Sequence, residues 1–136
     1  VKLRGGPDIR SNASNIIVDR GSVRSIDMTY TQAADVYIGD VSSQVYEFIR
    51  TPRPCIFLNL DGIDWQTNPA YSHWHFGQVI DSLEALPAAL AQAESMQPRF
   101  EALQRKLLEA SIDQGDIPAS ERQAQAILEF AESLDA

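Results

Sequence analysis

Three short apolar runs, residues 36–39 (VYIG), 55–60 (CIFLNL) and 78–80 (QVI), constrain the fold more than anything else in this sequence. They are β-branched, aliphatic or aromatic, and along the chain such runs alternate with helix-like stretches. Strands that are apolar on both sides are buried on both faces, an arrangement that a parallel sheet with crossover helices provides. Two further runs, residues 1–4 and 16–19, read as strands of the same kind. The expected fold class is therefore α/β: a Rossmann-like, three-layer α/β/α arrangement with a mainly parallel sheet.

The helical stretches follow from caps and periodicity. Ser25 reads as the cap of a helix over residues 26–34, with Asp27 near its positive end. Ser42 or Ser43 caps a helix running to Arg50, with Val45, Phe48 and Ile49 on one face and Pro52 and Pro54 closing it. After Asp81, Pro87 requires the regular part of the next helix to begin near Leu86 or to kink. Residues 97–112 carry Phe100, Leu103, Leu107 and Leu108 at helical spacing. Residues 119–134 do the same with Ala124, Ile127, Leu128 and Ala131, with Ser120 as a cap and residues 113–118 as the intervening turn. Division into a sheet-bearing domain, residues 1–95, and a helical tail, residues 96–136, is expected. The tail covers the same domain or packs against a missing partner domain.

Composition sets the partner classes. A chain of 136 residues with 44% hydrophobic residues can bury one sizeable core. Its formal net charge of −8, with arginines scattered through Arg4, Arg20, Arg50, Arg53 and Arg105, argues against nucleic acid as a partner. The single cysteine, Cys55, lies in an apolar run, so it reads as a buried, inert thiol in a reducing, cytoplasmic setting. No run approaches the roughly 20 apolar residues needed to cross a bilayer. The chain begins at Val1 without an initiator Met, and a processed or truncated chain is expected.

Two segments carry chemistry. At the end of the 36–39 strand, Asp40 closes the strand, Ser42 and Ser43 start the helix, and Glu47 follows about one turn later. Small hydroxyl residues at such a junction allow a phosphate to approach closely, and a carboxylate one turn on can accept hydrogen bonds from ribose hydroxyls. Spacing alone leaves this reading open beside a simpler one, in which the serines only cap the helix. The second segment is residues 61–77, too long for a simple connection. There His73 and His75 flank Trp74, and in an extended segment both imidazoles would lie on one side. Zinc usually takes three or four ligands, so no metal is expected. A histidine acting as base toward an acceptor hydroxyl stays open beside packing of the loop on the sheet edge or against a missing domain. Asp61 and Asp64, around Gly62, read as a turn.

The run Ala34-Asp35-Val36-Tyr37-Ile38-Gly39-Asp40-Val41-Ser42-Ser43-Gln44-Val45-Tyr46-Glu47-Phe48, followed by Arg53-Pro54-Cys55-Ile56-Phe57-Leu58, resembles the carboxyl-terminal domain of GT-B glycosyltransferases. It is most similar to the CDP-glycerol glycerophosphotransferase branch, and more distantly to UDP-N-acetylglucosamine 2-epimerases. The resemblance spans residues 1–95 and implies half of a GT-B fold, lacking its first strand. It implies a nucleotide-activated sugar or polyol donor, with Ser42 and Ser43 on the donor phosphates and Glu47 on ribose or a nearby hydroxyl. Arg4, where relatives carry histidine and proline after a strand, would face the diphosphate. It implies no cofactor. It also implies a missing amino-terminal acceptor domain, an isolated chain that is inactive, and a full-length protein at the inner face of a membrane, serving cell-envelope polysaccharide synthesis. A non-catalytic nucleotide-binding module and a helical interaction domain remain the alternatives.

Overall fold

Among the described residues the sheet has three parallel strands in the order β1-β2-β3: β1 (Tyr37–Gly39), β2 (Cys55–Leu58) and β3 (Gln78–Ile80). The computed structural model describes residues 11–113 and 115–134. Tyr37 pairs with Cys55 and Ile56 with Gln78, and the ladder continues beyond the strands through Tyr37 N–H to the Pro54 carbonyl and Asn59 N–H to the Ile80 carbonyl. The central position of β2 explains its composition. Cys55, Ile56 and Phe57 are at most 1% exposed, whereas Ile38 on the outer strand β1 is 42% exposed. The fold is thus α/β with a Rossmann-like parallel sheet.

The described residues fall into two compact units that divide between Asp35 and Val36. In the second unit, α3 (Gln44–Phe48) buries Val45 and Phe48. The Arg53 guanidinium lies 4.0 Å over the Phe48 ring and donates to the Phe48 carbonyl, which places a cation at the end of the helix where free carbonyls gather. After β3, a short 3-10 turn (Leu83–Ala85) leads into α4 (Leu86–Met96), with Pro87 in its first turn, where a missing N–H costs nothing. Ala89 and Ala93 are the buried positions of α4, and their small side chains let the helix lie close on β2 and β3. The α5 helix (Glu101–Ser111) turns Gln104 and Leu108 inward, one helical turn apart. The last helix, α6 (Ala119–Leu134), leaves Ile127, Leu128, Phe130 and Leu134 exposed, and Arg122 ties its start to Asp113 and to the Ile117 carbonyl.

Gln104 fastens the amino ends of two strands together. Fully buried, it donates from Nε2 to the carbonyls of Arg53 and Phe76, both at 2.9 Å, just ahead of β2 and β3. With its nitrogen thus committed, its oxygen needs a donor and finds the Gln97 amide at 2.8 Å. Gly77 sits in the same corner. A Cβ there would stand 2.6 Å from both the Cys55 carbonyl oxygen and Phe57 Cε2, so only glycine permits this approach.

Two sequence expectations are corrected in the first unit. Residues 16–19 form no strand, and the expected helix over 26–34 is two short helices, α1 (Val23–Ile26) and α2 (Thr29–Ala33). In the first case the Asp19 carboxylate gathers the N–H groups of Gly21 and Ser22 into a turn, and Ser22, not Ser25, caps α1. In the second, Asp27 accepts from both the N–H and the hydroxyl of Thr29, and Met28 takes a left-handed φ of 64°. A short acidic side chain that bonds its own neighbours competes with the helix ladder in this way. The expected strand at residues 1–4 lies outside the described residues.

Gln104→Met keeps the shape and removes both carbonyl partners, so an unfolding free energy lower by about 2–4 kcal/mol is expected in urea titration. Unchanged stability would mean the two carbonyls do not need it. Gly77→Ala is expected to cost about 1–3 kcal/mol by overpacking against the Cys55 backbone. A variant as stable as the parent would show that β2 can retreat.

Candidate functional site

The strand β1 ends at Gly39 and α3 starts at Gln44, so the residues between them, Asp40 to Ser43, lie at the carboxyl edge of the parallel sheet. Ser42 is half-buried, and its Oγ accepts the Gln44 N–H at 3.3 Å. It also shares a hydrogen bond with the Tyr37 hydroxyl, which softens the rise in Tyr37 pKa that burial causes. Ser43 is exposed and makes no side-chain capping bond. Glu47 lies half-buried in the same short helix. The junction therefore combines one hydroxyl that caps the helix with one turned to solvent.

The aromatic segment folds onto this junction. Residues 61–77 are not simply an open connection: Pro69–Phe76 is a 3-10 segment that buries His73, Trp74 and Phe76. Asn68 starts it by accepting the Ala70 N–H, and Asn59 shapes the preceding turn through paired bonds with the N–H and carbonyl of Ile63. From this segment Trp74 Nε1 donates to the Asp40 carbonyl at 2.9 Å, and His73 Nε2 meets the same oxygen at 3.3 Å. A carbonyl only accepts, so the His73 proton sits on Nε2. Two ring N–H groups thus converge on the two lone pairs of one backbone oxygen at the end of β1.

The surroundings keep these rings in place. Trp74 stacks on Phe57 at a 20° interplanar angle and meets Tyr71 edge-on at 4.7 Å. His73 meets Phe57 edge-on at 5.4 Å. Burial among these rings pushes the His73 pKa down, while its bond to the Asp40 backbone and the Asp40 charge pull it part of the way back. His75 takes a separate course: it is exposed, its Nε2 donates to the Gln66 carbonyl at 3.1 Å, and its ring lies 4.8 Å from Trp65. The expectation that both imidazoles share one side is corrected. At about three residues per turn, a 3-10 helix points residues two apart in different directions.

The junction thus brings together Asp40, Ser42 and His73, whereas His75 stands apart and Arg4 lies outside the described residues. Among the described residues, no group of three or more His, Cys, Asp or Glu side chains gathers to hold a metal. Cys55 is buried, and that burial pushes its thiol up to about 12, so it does not ionise near neutrality. The sequence reading assigned no partner to Tyr37 or Trp74. For Gln104 a signal existed, because it is a polar residue on the apolar stripe between Phe100 and Leu108.

Because the fold holds His73 below its ordinary value of 6.5, the unfolded chain takes up a proton first as the pH falls. This contribution to stability is whole above about pH 6.5 and is lost as the pH drops toward the lower folded value. His73→Gln is expected to remove that part of the pH dependence in unfolding titrations between pH 7 and 5. An unchanged slope would locate it elsewhere. Asp19, lowered to about 2 by hydrogen bonds from the Ser22 side chain and from the Ser22 and Gly21 backbones, acts in a separate window below 3.8.

No curated protein and no solved structure matches the chain. A family model described as CDP-glycerol:poly(glycerophosphate) glycerophosphotransferase matches residues 3–129, a span that takes in the sheet, the junction and most of the helical tail. By that match the chain belongs to the CDP-glycerol:poly(glycerophosphate) glycerophosphotransferase family.

Proposed function

We propose that the chain is the donor-binding half of a GT-B transferase that moves glycerophosphate from CDP-glycerol to a hydroxyl of a polymer acceptor. On this reading residues 1–95 are the donor domain, and the helices of residues 96–136 pack on the same domain or on a missing partner domain. The observation that carries the reading is the family match over residues 3–129, together with a serine pair at the carboxyl edge of a parallel strand. In the reaction the acceptor oxygen bonds to the phosphorus that bears glycerol. The bridging bond to the cytidylate phosphate breaks, CMP leaves, and the hydroxyl proton passes to a base. Such a transfer needs alignment and charge stabilisation more than covalent help from the protein.

On this reading Ser42, Ser43 and the backbone N–H groups beside them receive the donor phosphates, Arg4 faces the diphosphate, and Glu47 accepts from a ribose hydroxyl. Asp40 orients the turn. The serines and N–H groups add neutral donors to the Arg4 cation, while the nearby Arg53 is already engaged with Phe48. The acceptor site and the base belong to a preceding domain, so the isolated chain binds donor and transfers nothing. The full-length protein works in the cytoplasm, peripheral to the inner face of the membrane, in making cell-envelope polymer. No described helix is long and apolar enough to cross a membrane. A helical interaction module is the second reading, and the exposed apolar residues of α6 are what favour it.

Titration with CDP-glycerol, CDP and UDP, followed by the backbone amide resonances, tests the reading. CDP-glycerol is expected to shift residues 39–47, and replacing both Ser42 and Ser43 by Ala is expected to weaken it by about tenfold or more, as loss of hydrogen bonds to a charged ligand does. No shift in that stretch with any of the three would overturn the donor site and leave the interaction module ahead. Turnover by this chain alone at an ordinary enzymatic rate would overturn the half-enzyme part.

A further inference from the structure

We propose that His73 and Trp74 are positioning residues for the donor site, acting through the backbone carbonyl of Asp40; this rests on the donor reading of the β1–α3 junction. Both rings donate to that one oxygen, at 3.3 Å and 2.9 Å, from a segment more than thirty residues further along the chain. The two residues are 6% and 1% exposed, so their rings are held by packing. Asp40 is two residues before Ser42, with only Val41 between them, so the direction of its peptide carbonyl decides where the serine hydroxyls and their N–H groups point.

A carbonyl at a strand end with no donor turns toward water, and a turn of this length can then adopt more than one arrangement. The paired donors remove that freedom. They hold the junction in one conformation before ligand arrives, and apparent affinity falls in proportion to the fraction of molecules in the competent conformation. The two donors make the same kind of bond from different directions, and either alone leaves the peptide able to rotate about the remaining bond. Neither ring touches the donor in this account.

The test compares Trp74→Phe, His73→Phe and His73→Gln with the Ser42→Ala/Ser43→Ala double variant, measuring Kd for CDP-glycerol and the thermal midpoint of each. Binding is read well below every midpoint. Trp74→Phe and His73→Phe each keep a ring and lose the N–H, and each is expected to weaken binding about tenfold, the scale of one lost hydrogen bond. His73→Gln, which keeps an amide N–H at similar reach, is expected to restore affinity. Extra or broadened amide signals for residues 40–44 in the two Phe variants, in the absence of ligand, would support the proposal. If the serine variant loses affinity while the Phe variants lower only the thermal midpoint, the positioning role is overturned and the donor site stands. If CDP-glycerol binds every variant as it binds the parent, or binds none including the parent, the donor reading fails and the positioning role with it.

Discussion

The ring of Phe57 is the contact on which the second unit depends. Completely buried on the central strand, it meets Tyr37, His73, Trp74 and Phe76, each with ring centroids between 5.4 and 6.2 Å. Those partners come from β1 and from the segment ahead of β3, so one side chain joins pieces of chain that the backbone ladder joins only at its edges. Aromatic pairs in edge and stacked arrangements add about 0.5–1.5 kcal/mol each beyond simple burial, and four of them make this position hard to substitute. Gly77 is small because Phe57 Cε2 and the Cys55 carbonyl already occupy the space its side chain would need.

Around this centre two sets of side chains supply donors to backbone carbonyls at the strand ends. Gln104 serves the carbonyls ahead of β2 and β3, and the His73–Trp74 pair serves the carbonyl after β1. The two devices lie at opposite ends of the sheet. Both solve the same problem: a sheet of three short strands has many strand ends relative to its ladder bonds, and buried carbonyls at those ends need donors. Side chains with ring or amide N–H groups supply donors without adding charge to the interior, where an ammonium or guanidinium would be expensive to desolvate.

The sheet and the carboxyl-terminal helices were legible because their signals are local and periodic. The run 78–80 is a strand over the expected residues, and residues 119–134 are helical as their spacing indicates. The amino-terminal unit was not, because turn chemistry won over pattern: Asp19 and Asp27 each capture backbone N–H groups that a strand or a helix would have used otherwise. At the junction the order strand, Ser42, helix was readable, whereas the grip on Asp40 was not. That grip joins positions 33 and 34 residues apart, and nothing in the sequence near either end announces the other.

The grip also bears on how an acidic chain can present a seat for an anion. A carbonyl oxygen at the carboxyl edge of a strand carries partial negative charge, and left bare it would oppose any phosphate approaching the turn. Two N–H donors on that oxygen screen it, and because burial keeps His73 neutral they do so without placing a full charge in the aromatic core. A cation in the same place would screen more strongly but would have to be stripped of water among Phe57, Trp74 and Phe76, at a cost that a single carbonyl could not offset. On the donor reading, then, a neutral histidine suits this position better than a charged one. On that reading it makes the junction less repulsive to phosphate without itself touching the ligand.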